Sequence, residues 1–488
     1  MNHHVPDPSK QPIVMPGRNA WRIEMADSLA FLVDGAEYFR ALDRTLPLAR
    51  RSIRIVGWDF NPDIRLRPRK GSETLGALLR RLVDERPELE IHILVWAMGP
   101  IYSSRSLKVF RRNGWSNHPR IHLRFDTRHA LRGSHHQKMV TVDDAIAFVG
   151  GIDVTAGRWD TREHAPDCPH RVRPNGKSYG PVHDVQTMFR GPAARAVADL
   201  ARRRWETATD HRPAPVVTPP PEWPEGVPAA MEGCAAAIVR TTPDLHGLNE
   251  QRHAIRLTHD AIAAARRHIY IETQYLASFG VGEALAQRLR EPYGPEVAIL
   301  VTCSSRGMLE QFVMASNRDR LIRGLKKADS FGRLRVMYAV VPDGDGGECE
   351  VLIHSKVVVV DDVFVRVGSS NLNNRSEGLD TECDVAVEAR TLAERQAIAA
   401  LRNRLLAEHL DACESDVAAA IRRGSLVGAI DRLNTRPRGL RPFPIGLTGP
   451  TSPLPGTALL DPSRPFRPIY EARELAAAAF SWLTRRAS

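Results

Sequence analysis

The chain has 488 residues, 43% of them hydrophobic, and its 68 Lys and Arg against 57 Asp and Glu give a formal net charge of +11. That length accommodates two core-bearing lobes, the apolar content is that of a soluble globular protein, and no apolar run is long enough to span a bilayer as a helix. The charge favours anionic partners such as phospholipid surfaces, nucleic acid or phosphodiesters without choosing among them, and the six cysteines, none in a C-x-x-C pair, point to reduced thiols.

In chain order, residues 1–25 read as a tail. The opening MNHHVPDPSKQPIVMPGRNAW contains no apolar stretch of signal-peptide type. The expected location is therefore cytoplasmic with peripheral membrane association, or export by a route that uses no cleavable signal. An N-terminal lobe is expected over 26–211. It begins with a helical stretch, DSLAFLVDGAEYFRALDRTLPLA, and a strand, SIRIVGWDF. An amphipathic helix, TLGALLRRLVDE, and a buried strand, IHILVWAM, follow. HDVQTMF reads as another strand, and GPAARAVADLARRRWETA as a helix opened by Gly-Pro.

Residues 212–232 are proline-dense and read as a semi-rigid linker. The pattern restarts in a C-terminal lobe over 233–425. LNEQRHAIRLTHDAIAAARR is helical, and HIYIETQYL, VAILVTC and RLRVMYAVV are strands. ECDVAVEA is a further strand, and TLAERQAIAALRNRLLAEHL a helix. Residues 426–488 hold a Pro-rich segment and a terminal helix, EARELAAAAFSWLTRRAS, expected to pack against the body. Strands alternating with helices predict the α/β class.

One stretch occurs twice. Residues 136–153, HQKMVTVDDAIAFVGGID, align without a gap on residues 354–371, HSKVVVVDDVFVRVGSSN. Both carry His, Lys two positions on and Asp seven positions on, at His136, Lys138 and Asp143 and again at His354, Lys356 and Asp361. On a strand, residues two apart share a face, and burying an imidazole beside an ammonium is costly. Two copies at matched offsets form an internal repeat, with motif regions at about 130–157 and 348–375.

The chemistry that suits such a pair is phosphodiester cleavage. The phosphate's charge repels nucleophiles, and its alkoxide leaves poorly. Two imidazoles facing each other across phosphorus attack in line and protonate the leaving oxygen. Lysines on the same faces hold the non-bridging oxygens and offset charge in the transition state. The scheme requires no metal, provided the two copies meet at a pseudo-twofold axis.

The doubled His-x-Lys-x4-Asp pattern resembles the phospholipase D superfamily. AFVGGIDVTAGRWDTREH, PVHDVQTMFRGPAARAV and IHSKVVVVDDVFVRVGSSNLNNRS are similar to flanks of the eukaryotic-type catalytic core. The resemblance implies two similar α/β/α sandwich lobes related by a pseudo-twofold axis. It implies His136 as the nucleophile that becomes a phosphohistidine, and His354 as general acid and then base. Lys138 and Lys356 would grip the phosphate with Ser369, Asn371 and Gly151, while Asp143 and Asp361 close the motifs as structural residues. A carboxylate on the following strand orients each histidine in this family. By position that is Glu382 for His354 and Asp184 for His136. The first copy has Asp153 where the second has Asn371, so the two halves are not equivalent.

Other features carry less. His164, Cys168, His170 and His183 invite a zinc reading, but their spacing fits no standard module. His183 is expected to line the cleft beside Asp184, and Trp58 and Tyr275 either border the channel or pack in the core. DGDGGECE at 343–350 is a loop with only a faint calcium-site character. The expected function is that of a phospholipase D, acting on glycerophospholipids at a membrane surface as a monomer. It would release phosphatidic acid and the head group and transfer phosphatidyl groups to alcohols. No cofactor is required, calcium is at most a stimulator, and no nucleic-acid partner is expected. The alternatives are a cardiolipin or phosphatidylserine synthase-type transferase and a nuclease of the same superfamily.

Overall fold

In the computed structural model, which describes residues 11–68, 71–99, 114–130, 132–244, 250–304, 309–457 and 461–465, a long strand from each lobe forms the central seam. Arg22–Val33 pairs antiparallel with Met231–Thr242, in a register that sets Met25 opposite Ala235 and Leu29 opposite Met231. Outward from the seam, the N-terminal lobe adds Val185–Arg190, Ile146–Gly150, Met139–Val142 and Ser52–Gly57, each antiparallel to the last. Glu90–Trp96 and Ile121–Asp126 then continue in parallel.

The C-terminal lobe repeats this order from Met231–Thr242. Glu382–Glu388, Phe364–Gly368, Val357–Val360 and His268–Thr273 are antiparallel steps, and Glu296–Val301 and Leu334–Pro342 are parallel ones. The two orders and pairing senses match strand for strand, as the pseudo-twofold reading requires.

The parallel strands are almost continuous apolar runs (SIRIVG, HIYIET, EVAILV) because helices cover both faces. One apolar cluster joins the lobes and includes Phe189, Trp205, Leu300, Val359 and Leu405. Two outer clusters lie under the remaining helices, one per lobe. Each fully buried aliphatic or aromatic side chain in them contributes about 1.5–3 kcal/mol. Among the described residues, no helix is long and apolar enough to cross a membrane.

Three expectations differ from the structure. Residues 11–25 are not a tail: Ile13 and Val14 are buried, and their N–H groups donate to Glu388 at 3.0 and 2.9 Å. The helix expected from residue 27 starts only at Asp34, since DSLAFLV belongs to the seam strand. The linker is packed rather than free, with Val227 buried and the Trp223 indole donating to the Val227 carbonyl at 2.6 Å. The terminal helix lies outside the described residues.

Candidate functional site

Each motif begins in a strand entrance that runs beside the opposite lobe. The His354 N–H donates to the His183 carbonyl at 2.8 Å, where Leu352 and Ile353 pair in parallel with Val182 and His183. Likewise the His136 N–H donates to the Thr381 carbonyl at 3.1 Å. These backbone contacts set His354 next to Asp184 and His136 next to Glu382. The His136 Nδ1–H reaches both Glu382 oxygens at 3.0 and 3.1 Å, and the His354 Nδ1–H reaches Asp184 Oδ2 at 2.7 Å. The expected pairing is thus corrected: each carboxylate orients the histidine of the other lobe. The reason is register, because the strands that carry these groups meet across the lobe interface rather than within a lobe.

The carboxylates are anchored differently. Glu382 is fully buried and accepts hydrogen bonds from the hydroxyls of Ser369 and Ser376. At the position matching Ser369 stands Gly151, where a Cβ would lie 2.0 Å from Asp184 Oδ1. Gly151 therefore makes room for a carboxylate, and Ser369 holds one. Both residues thus shape the positions of the two carboxylates.

The lysines differ as well. The Lys138 ammonium lies 3.1 Å from Asp153 Oδ2. Lys356 donates to the His354 carbonyl and lies 3.5 Å from the side-chain oxygen of Gln274, while the buried Oδ1 of Asn371 has no hydrogen-bond partner among the described residues. Burial pushes the Lys356 amine down to about 7, although Asp184 opposes the shift. Burial, then the neighbouring lysines, also hold His136 and His354 well below the usual imidazole range. Both rings are therefore neutral near pH 7, each with Nδ1 committed to a carboxylate and Nε2 left for substrate. Burial raises the pKa of both Asp184 and Glu382.

Asp143 and Asp361 stand apart from the reacting groups. Asp143 accepts from the N–H groups of Arg50, Arg51 and Ser52 at 2.7–2.8 Å. Asp361 accepts from Arg266, Arg267 and His268 at 2.6–2.8 Å. Each also opens a tight turn in which two successive aspartates have positive φ, 51° and 54° in one copy and 52° and 56° in the other. Asp tolerates this conformation better than most residues, and such turns suit hairpins. The last motif residue therefore ties a hairpin turn to the next strand.

Sequence reasoning missed Arg158, from the GRWD flank, whose positive charge acts on His354, Lys356 and Asp184. The Gly-Arg-Trp-Asp run itself was the available signal. His183 does not line the cleft. It is fully buried between Glu408 and Glu272. Cys168 and His170 do not join His164 and His183, being half-buried and exposed. Trp58 and Tyr275 are both half-buried, and Trp58 packs 5.5 Å from the Trp96 ring. In the 343–350 loop, Asp343 spends one carboxylate oxygen on the N–H groups of Asp345 and Gly347.

Comparison with known proteins adds an independent view. Residues 45–218 match the family model described as Phospholipase D, and residues 259–400 match Cardiolipin synthase, PLD-like domain. The chain is 26% identical to Phospholipase D1 of Saccharomyces cerevisiae, with 79% of this chain and 29% of that protein covered. It is 26% identical to Cardiolipin synthase A of Escherichia fergusonii, with 79% of this chain and 71% of that protein covered. It thus spans less than a third of the yeast protein's length. Among solved structures, phosphatidylserine synthase of Haemophilus influenzae superposes with a TM-score of 0.54 at 16% identity, covering 78% of this chain and 86% of that one.

Proposed function

The chain belongs to the phospholipase D superfamily, and on that premise we propose that it is a phospholipase D, cleaving glycerophospholipids to phosphatidic acid and free head group. One observation carries the proposal: two neutral imidazoles, each fixed at Nδ1 by a carboxylate from the other lobe, share one site with two buried lysines.

In the first step His136 Nε2 attacks phosphorus and the bond to the head-group oxygen breaks. His354 gives that oxygen its proton. The imidazole starts neutral in the free enzyme. The arriving phosphodiester offsets the positive charge of Lys356 and Arg158, which lets His354 take up the proton it then donates. In the second step water attacks phosphorus, His354 accepts its proton, and the phosphorus–nitrogen bond breaks. A primary alcohol in place of water gives the phosphatidyl alcohol. Lys138 and Lys356 neutralise the non-bridging oxygens in both steps, so no metal is needed at phosphorus.

The reading includes a monomer that meets its substrate at a membrane surface from the cytoplasmic side. The positive net charge supports attraction to anionic lipid. The similarity to a cardiolipin synthase over most of that enzyme's length supports a second reading, in which a lipid hydroxyl replaces water. The deciding experiment incubates the chain with phosphatidylcholine vesicles and 1-butanol in EDTA. Choline and phosphatidylbutanol are expected. Turnover only of phosphatidylglycerol, to cardiolipin, favours the transferase. Cleavage of single-stranded DNA with no lipid product overturns both.

A further inference from the structure

Behind the catalytic groups, and sealed between the lobes, lies a second constellation that the proposed reaction does not use. His164 Nε2 and His183 Nδ1 approach the same oxygen, Glu408 Oε1, at 3.1 and 2.8 Å. Asp34 completes the group, with Oδ1 3.0 Å from His183 Nδ1 and Oδ2 3.9 Å from His164 Nε2. Ligand-type atoms of all four residues lie within 4.8 Å of one another, and every one of these side chains is at most 2% exposed. They come from distant segments: the start of helix Asp34–Thr45, the loop after the first motif, the short strand Val182–His183 and the far end of helix Leu392–His409.

We propose that Asp34, His164, His183 and Glu408 bind one divalent first-row transition ion, zinc by ligand type, which clasps the two lobes together behind the active site.

The geometry fits an ion of that size. A tetrahedron with metal–ligand bonds of about 2.0–2.1 Å has edges of roughly 3.3 Å. Three of the separations above, 2.8, 3.0 and 3.1 Å, lie near that value, and the edge between Asp34 and His164 is longer, at 3.9 Å or more. The outer contacts fit as well. His164 Nδ1 lies 2.9 Å from Asp160 Oδ2, and His183 Nε2 lies 3.0 Å from Glu272 Oε2. A carboxylate on the far nitrogen is the usual device that fixes the tautomer of a metal-bound imidazole. Asp160 is itself held by Arg171 at 2.9 Å, and Glu272 by the Tyr270 hydroxyl at 2.5 Å.

These outer bonds sharpen the electrostatic problem inside. If the far nitrogens donate their protons outward, the near nitrogens present lone pairs to two carboxylates. Acceptor then faces acceptor at under 4 Å in a site without solvent, which is costly unless a cation lies between them or each ring carries a second proton. Asp34 shows the same need: among the described residues no donor meets either of its buried carboxylate oxygens in good hydrogen-bond geometry, His183 Nδ1 at 3.0 Å being the nearest approach. Both Asp34 and His164 also hold positive φ, 65° and 49°. The site touches the catalytic one through the backbone: His183 precedes Asp184, and the Asp34 N–H donates to the Asp184 carbonyl at 2.8 Å. The ion would position the carboxylate that orients His354 without contacting substrate.

The test uses the full chain, purified without a polyhistidine tag and analysed for transition metals. About one zinc per chain is expected, retained on dialysis of the folded protein against EDTA and released on unfolding. His164→Ala and Glu408→Gln, checked for folding by circular dichroism, should each lose most of that metal. Should neither variant fold, the unmodified chain refolded with cobalt(II) should show the visible absorption of a tetrahedral site. Its Tm should also rise when it is refolded with zinc rather than with EDTA. A folded chain carrying less than roughly a tenth of an equivalent of any transition metal, with the same Tm after either refolding, overturns the proposal. The cluster is then a network of protons alone.

Discussion

The two halves of the catalytic site share one scaffold and differ in their charges. Strand order, turn conformation and the three backbone N–H groups held by Asp143 are reproduced around Asp361. Yet Lys138 has a carboxylate partner in Asp153, and Lys356 has the amide Asn371 at the matching position. Glu382 is held by two hydroxyls, whereas Asp184 sits in the space left by Gly151. His136 is 16% exposed and His354 is 6% exposed. A repeat can thus fix geometry by symmetry and still divide labour between its copies, because single side chains set the local field without disturbing the strands.

The largest way to break the comparison is to remove one histidine at a time. His136→Ala should abolish the covalent intermediate. His354→Ala should still attack a nitrophenyl phosphodiester slowly, because general acid–base help is typically worth ~10²–10⁴-fold and this leaving group needs no proton. The phosphoenzyme should then accumulate, with the label on His136 after acid quench and peptide mapping. Label on His354 in the His136→Ala variant would exchange the two roles.

Next come the crossed carboxylates. In a serine-protease triad, losing the carboxylate that orients the imidazole lowers kcat by about 10⁴-fold. Asp184→Asn should therefore slow release of a poor leaving group while sparing attack on the activated ester. Glu382→Gln should slow attack on both substrates. Rapid-quench kinetics would show these two patterns exchanged if each carboxylate served its own lobe.

A smaller effect separates the lysines by pH. Lys356 is charged only below its lowered pKa of about 7, and a bound phosphodiester favours the charged form. Binding raises that pKa, so affinity is fully present below pH 7 and is lost as pH climbs from there towards the bound-state value. The KM profile should rise above pH 7 by at most about tenfold per unit. Asn371→Asp, which copies Asp153, should move that rise to higher pH. A profile unchanged by the substitution would place the pH dependence elsewhere.

The smallest effect on chemistry should come from the motif aspartates. Asp143→Asn and Asp361→Asn each weaken a cluster of backbone hydrogen bonds, at a cost of about 1–3 kcal/mol, and each should lower the Tm. The kcat of the folded protein should stay close to that of the unmodified chain. A large loss of kcat at unchanged Tm would return these residues to the reaction.

The sequence alone determined the repeat, the α/β alternation and the histidine–lysine pairs, which are legible because they lie in local periodicity and in one motif written twice. The two orienting carboxylates were named only through the family resemblance. The seam was not legible: DSLAFLV and AAAIVR are apolar on both faces, and without a period a buried strand reads like a helix. Nor could the sequence show which carboxylate serves which histidine. That was decided by two inter-lobe backbone contacts, His354 with His183 and His136 with Thr381. The buried cluster makes the same point most strongly. His164 and His183 stood out as ligand-type residues, in a spacing that fits no standard module, and Cys168 and His170 drew attention with them, while Asp34 and Glu408 carry no local pattern. Only the packing of helix Leu392–His409 against the first lobe brings Glu408 to those histidines. Local order along a chain records which side chains share a strand or helix face, and sheet register and lobe packing decide which of them meet.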